Sequence, residues 1–149
     1  MVRPTATVLL IGYAFIVANL TLMDPTSGSW AFSRADHWAT VLSHGRLQWS
    51  ETEVLANVAL FVPVGFLLVL VMRRLWPAVA VGVLGSVAIE VVQAAYLPLR
   101  VGTSDDVVHN AWGVVIGALL ASPYALVQLH RRGRAVRRPL PDVSPVRTR

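Results

Sequence analysis

Ser86-Val-Ala-Ile-Glu-Val-Val-Gln93 lies inside an apolar run from Ala78 to Leu97, and it puts a carboxylate, Glu90, where hydrocarbon is expected on every side. A charge at bilayer depth costs about 2.5–3.5 kcal/mol on insertion scales, so such a group usually faces a protein interior or a wet cavity. Ser86, Glu90 and Gln93 follow an i, i+4, i+7 spacing. They therefore share one helix face. The rest of the chain has to supply what that face meets.

The composition makes the bilayer the relevant solvent. Of 149 residues, 55% are hydrophobic and only 14% are charged, where a soluble domain carries about 25% charged residues. The apolar residues are gathered into long runs, the mark of a membrane protein. There is no cysteine, which excludes disulfides, thiolate metal sites and a cysteine nucleophile. The net charge of +5 would point to nucleic acid were it spread over the chain. Instead, seven of the 13 basic residues, all of them Arg, lie beyond Leu129. That placement predicts membrane topology and surface anchoring, with membrane lipids as partners and no nucleic acid.

Four runs are expected to span the membrane, at about 5–23, 54–72, 78–97 and 107–129, each long enough for the ~30 Å hydrocarbon layer. The first, Thr5 to Met23, follows Arg3; no convincing small-residue cleavage site succeeds it, so it reads as a retained helix rather than a signal peptide. The second carries Asn57, Phe61 and Gly65 on one face, and Pro63 is expected to kink it. Gly82 and Gly85 thin the third. The fourth opens with His109 and Asn110 and carries Gly113 and Gly117, a pair four residues apart that permits close helix contact. Pro123 is expected to kink it in turn. Residues 24–53 read as a loop punctuated by Trp30, Trp38 and Trp49, with a short interfacial helix opened by a capping box at Ser33–Asp36. His37 and His44 read as solvated loop histidines, so no metal site is expected. The basic stretch 130–149 reads as a disordered tail.

The arginines orient all four spans together. With the N-terminus in the cytoplasm, ten Arg are inside and only Arg34, Arg46 and Arg100 are outside. Both termini are then cytoplasmic. Asn57, Glu90, Gln93, Asp106, His109 and Asn110 fall in the outer halves of their helices, with Arg100 in the adjoining loop and Asn19 near the outer end of the first span. Two readings stay open. The polar residues glue the bundle, at roughly 0.6–2 kcal/mol per interhelical hydrogen bond, or they line an outward-facing pocket. No GxSxG, HExxH or P-loop motif occurs, and no cofactor is expected.

Three stretches together resemble the VanZ-like family. They are Asn57-Val-Ala-Leu-Phe-Val-Pro-Val-Gly-Phe-Leu-Leu68, Ser86-Val-Ala-Ile-Glu-Val-Val-Gln93, and Arg100 through Asp106 to Asn110-Ala-Trp-Gly113 with Gly117. The similarity covers roughly residues 55–120; the first span matches only in hydropathy. Where the family commonly has a further acidic residue before the Asp pair, this chain has Gly102-Thr103-Ser104. The resemblance implies a small bacterial multi-pass membrane protein. The family's namesake is associated with resistance to the lipoglycopeptide teicoplanin, without a known enzymatic activity, which does not extend resistance to this chain.

The expectation is therefore an all-α, four-transmembrane-helix bundle whose polar end binds or excludes an amphiphilic envelope ligand, a lipid-linked precursor or a lipoglycopeptide-type antibiotic. An intramembrane enzyme using Glu90 and Asp106 as acid–base groups, and a non-catalytic scaffold, are the alternatives.

Overall fold

In hydrocarbon every backbone N–H and C=O must be satisfied within the protein, which leaves a long apolar segment little choice but helix. The computed structural model describes residues 2–22, 25–97 and 104–136, and among these residues all regular structure is helical. The elements are α1 (Val2–Leu22), α2 (Pro25–Leu42), α3 (Trp49–Met72), α4 (Leu75–Tyr96) and α5 (Ser104–Val136). Four of them, α1, α3, α4 and α5, are long and apolar enough to cross a membrane. The chain is an all-helical multi-pass membrane protein.

The helices exceed the apolar runs wherever polar residues continue the helical turn. α3 starts at Trp49 because Gln48 and Glu51 form a capping box, the Gln48 amide donating to Glu51 Oε2 at 2.9 Å. α5 reaches Val136, so the stretch 130–136 expected in the tail is helical; residues 137–149 and the loop arginine Arg100 lie outside the described residues. The helical assignment passes through Pro63 and Pro123.

The loop helix differs most from expectation. α2 has 18 residues and begins at Pro25, the first helical position, where a missing N–H is harmless and the fixed φ suits the turn. Ser33–Asp36 is thus helix interior and not a cap. The helix ends in a Schellman arrangement: Gly45 N–H reaches Thr40 C=O at 2.8 Å and His44 N–H reaches Val41 C=O at 3.2 Å, with His44 left-handed at φ 54°. The side chains of Trp30 and Trp49 lie outside the described set; Trp38, Val41 and Leu42 are exposed.

α3 is the hub, in contact with every other helix, and its contact with α5 is the most extensive. Asn57 meets Asp106. Deeper in, a Cβ on Gly113 would collide with the Val58 carbonyl, one on Gly65 with the Val114 carbonyl, and one on Gly117 with the Val62 carbonyl. The contacts advance along both helices together, so α3 and α5 run parallel with their backbones touching. α4 crosses antiparallel beside them, with Gly82 against Val114 and Leu68. Gly85, read as a second thin point, has nothing within 4 Å of an added Cβ. The buried face of α5 is correspondingly small: Gly113, Val114, Gly117, Ala118, Ala121 and Ala125. Large apolar side chains such as Phe15, Leu84, Val91 and Leu120 are exposed, the arrangement expected when the solvent is lipid and helices associate through packing.

Gly117→Leu is expected to destabilise the bundle in lipid nanodiscs by about 1–3 kcal/mol, the usual cost of overpacking. Gly85→Leu should stay within about 0.5 kcal/mol. Thermal or denaturant unfolding measures both, and equal losses would mean that α3 and α5 do not meet at Gly117.

Candidate functional site

The polar side chains gather at one end of the bundle, where α1 and α4 finish and α3 and α5 begin. Asn57, in the first half of α3, donates from Nδ2 to Asp106 Oδ1 at 2.8 Å. Asn110, one turn further along α5, donates from Nδ2 to Ser86 Oγ of α4 at 3.0 Å. This second pair is fully enclosed, with Ser86 0% and Asn110 4% exposed. α4 runs antiparallel to α5, so the residue one turn after Ser86 and the residue one turn before Asn110 stack on top of it. Those residues are Glu90 and Asp106, whose carboxylates lie close enough to repel each other. The site is two storeys: a buried Ser86–Asn110 floor and a Glu90–Asp106 rim, with Asn57 bracing Asp106 from α3.

Hydrogen-bond accounting leaves specific capacity unused. With the Asn110 amide nitrogen committed to Ser86, its Oδ1 is buried and has no donor. Among the described residues, Glu90, half-buried, has no hydrogen-bond or ion-pair partner. A buried acceptor without a donor costs roughly 1–3 kcal/mol, which marks this floor as a place where a donor belongs.

Not every polar residue anticipated here turns toward this site. Gln93 is buried but donates to the Thr21 carbonyl of α1 at 2.8 Å. That carbonyl is one of the last in its helix, so Gln93 acts as a clasp between α1 and α4. Asn19 folds back onto its own helix, donating to the Phe15 carbonyl at 2.8 Å. Among the described residues, His109, half-buried, has no hydrogen-bond or ion-pair partner. Arg100, placed by the sequence in the adjoining loop, lies outside the described residues. Among the described residues no group of three or more His, Asp or Glu could hold a metal ion.

Ser86 and Tyr13 are the residues a motif search undervalues. Ser86 is small and unremarkable in an apolar run; only its position one turn from Glu90 signals a role. Tyr13 donates to the Leu60 carbonyl of α3 at 2.9 Å. That carbonyl neighbours Ala59, whose usual N–H partner Pro63 cannot supply.

The VanZ/LLP1 family model matches residues 6–128 of the chain. No curated protein and no solved structure matches it.

A double-mutant cycle on Asn57→Ala and Asp106→Ala, read by equilibrium unfolding in lipid, is expected to give a coupling of about 0.6–1.7 kcal/mol. A coupling of zero would break the brace between α3 and α5 described above.

Proposed function

This chain belongs to the VanZ/LLP1 family, and from that premise we propose that it sits in the bacterial cytoplasmic membrane with both termini in the cytoplasm and its polar end toward the outer leaflet. There it holds the polar headgroup of an amphiphilic cell-envelope ligand, a lipid-linked precursor or a lipoglycopeptide-type antibiotic. One observation carries the reading: a buried, donor-less acceptor at Asn110 beneath a carboxylate, Glu90, that no side chain engages among the described residues. A cluster that served only to glue helices would be selected to satisfy its own members. Glu90 is also half-exposed on a membrane-spanning helix, which gives a headgroup a lateral way in from the bilayer. The neighbouring exposed apolar residues Val87 and Val91 suit an acyl chain lying along the same helix.

The proximity of Glu90 and Asp106 favours one alternative, acid–base chemistry on a headgroup. Glu90→Gln separates the two, because catalysis needs an ionisable group there and binding needs chiefly an acceptor of the right shape.

Two outcomes are expected. Protein drawn from membranes in lipid nanodiscs should carry an amphiphile enriched over the bulk lipid, identified by mass spectrometry and lost on Glu90→Leu; equal enrichment in both proteins would place the ligand elsewhere. For orientation, the absence of native cysteine permits single-cysteine labelling. Arg46→Cys should react with an impermeant thiol reagent from outside intact cells, and Ser144→Cys should not. Labelling of Ser144→Cys alone would invert the topology.

A further inference from the structure

The turn between α3 and α4 is two residues long, Arg73 and Arg74. It joins two membrane-spanning segments, Ser50–Met72 and Leu75–Tyr96. So short a link holds both arginines at the depth where hydrocarbon gives way to headgroups. Trp76, 78% exposed on the first turn of α4, belongs to the same depth, since indole rings collect at that interface.

Arg73 is fixed there by its backbone. Its amide donates to the Val69 carbonyl at 2.7 Å, and its φ of 58° is left-handed, a conformation that ordinarily falls to glycine at a helix C-terminus. The side chain that replaces glycine here has no partner within the protein. Its Nε is buried and no acceptor reaches it. Among the described residues the guanidinium joins no hydrogen bond and no ion pair. Arg73 as a whole is half-buried, and Arg74 beside it is exposed. Every described acid, Asp36, Glu51, Glu53, Glu90, Asp105 and Asp106, belongs to the opposite end of the bundle. Two adjacent positive charges therefore stand at this end without a described counter-ion.

A guanidinium carries only donors, stays charged, and matches the oxygens of a phosphate with its planar fork. The acceptor that a membrane supplies at this depth is the lipid phosphate. A zwitterionic lipid brings its own cation beside that phosphate. An anionic phospholipid brings net negative charge, which the unneutralised arginine pair attracts.

We propose that Arg73, assisted by Arg74, binds the phosphate of one anionic phospholipid at the arginine end of the bundle. The site lies at the far end from Glu90 and does not depend on the headgroup reading given for that cluster. The part-exposed guanidinium of Arg73 engages the phosphate oxygens, and Arg74 adds charge. Glycine would suit the backbone of position 73 better; an arginine held there against local preference is accounted for by what its side chain binds.

The test uses the full chain in dodecyl maltoside micelles, titrated with dioleoyl phosphatidylglycerol, with the chain-matched phosphatidylcholine, or with inorganic phosphate. Bound lipid is counted by native mass spectrometry, and thermal midpoints are followed in parallel. Phosphatidylglycerol is expected to bind saturably and to raise the midpoint, with an apparent affinity roughly tenfold or more above that of phosphatidylcholine, the scale of one hydrogen bond to a charged group. Arg73→Gly suits the left-handed φ, so its lipid-free midpoint should equal or exceed that of the natural chain while its affinity for phosphatidylglycerol falls by a similar factor. Arg73→Gln, which keeps a long side chain at the turn, should show the same loss of affinity. Arg3→Gln, which removes an exposed arginine at the same end, should change the affinity by less than about twofold, since exposed charges are screened. Equal losses from the position 73 variants and Arg3→Gln would reduce the effect to diffuse surface charge and overturn the proposal. Equal affinities for the two lipids, or full binding by Arg73→Gly, would overturn it as well. A midpoint shift reproduced by inorganic phosphate alone would make this a site for a free anion and overturn the lipid assignment.

Discussion

The backbone contact between α3 and α5 is the constraint from which the rest of the bundle follows. Lipid offers no hydrophobic force to press helices together, so they must gain by close packing. Gly65, Gly113 and Gly117 remove the Cβ atoms that would otherwise stand against the facing carbonyls. Two parallel helices are thereby brought into direct contact. α4 then lies antiparallel beside them, with Gly82 against Val114. Among the described residues α1 touches α2, α3 and α4 but not α5, and two polar clasps help hold it, Tyr13 to the Leu60 carbonyl and Gln93 to the Thr21 carbonyl.

The same helical stripes change character along their length. On α5 the stripe reads Asp106, Asn110, Gly113 and Gly117; on α3 it reads Asn57, Phe61 and Gly65; on α4 it reads Glu90, Ser86 and Gly82. Glycine meets backbone in the deep half, and polar side chains meet each other in the other half. The glycine seam already accounts for association. The polar half adds buried groups that carry a cost, and one of them, Asn110 Oδ1, goes unmatched. A bundle built only for stability would do better with small apolar residues at those positions. That comparison, more than any single contact, is the argument for a ligand.

The spans were legible because a run of about 20 apolar residues has essentially one fate in a bilayer. The glycine seam was legible in part. Spacing put Gly113 and Gly117 on one face, but nothing in the sequence separates Gly82, which meets Val114, from Gly85, which meets open space. α2 was read too short because Pro25 and Gly28 are turn residues by composition, whereas Pro25 occupies the first helical position, where proline is at home. Of the site, the depth of the polar residues was legible and their pairing was not. Gln93 shares a face with Glu90 yet turns to α1, since which neighbour a helix face meets is decided by packing elsewhere. Ser86 gained its role only through Asn110, 24 residues away.

The charge distribution bears on the proposed orientation. Arginines at the end bearing Arg3, Arg73 and Arg74 favour a cytoplasmic location for that end during insertion. The described acids gather at the other end, where topology exerts little selection on Asp and Glu. Most are exposed or half-buried and need no cause beyond solvation. Glu90 is different, because it lies on a membrane-spanning helix and its neighbours Val87, Val91 and Val92 are exposed. Placing an acid there adds desolvation cost without adding a helix contact. Such a cost is sustained when the charge faces something polar that enters the membrane beside it.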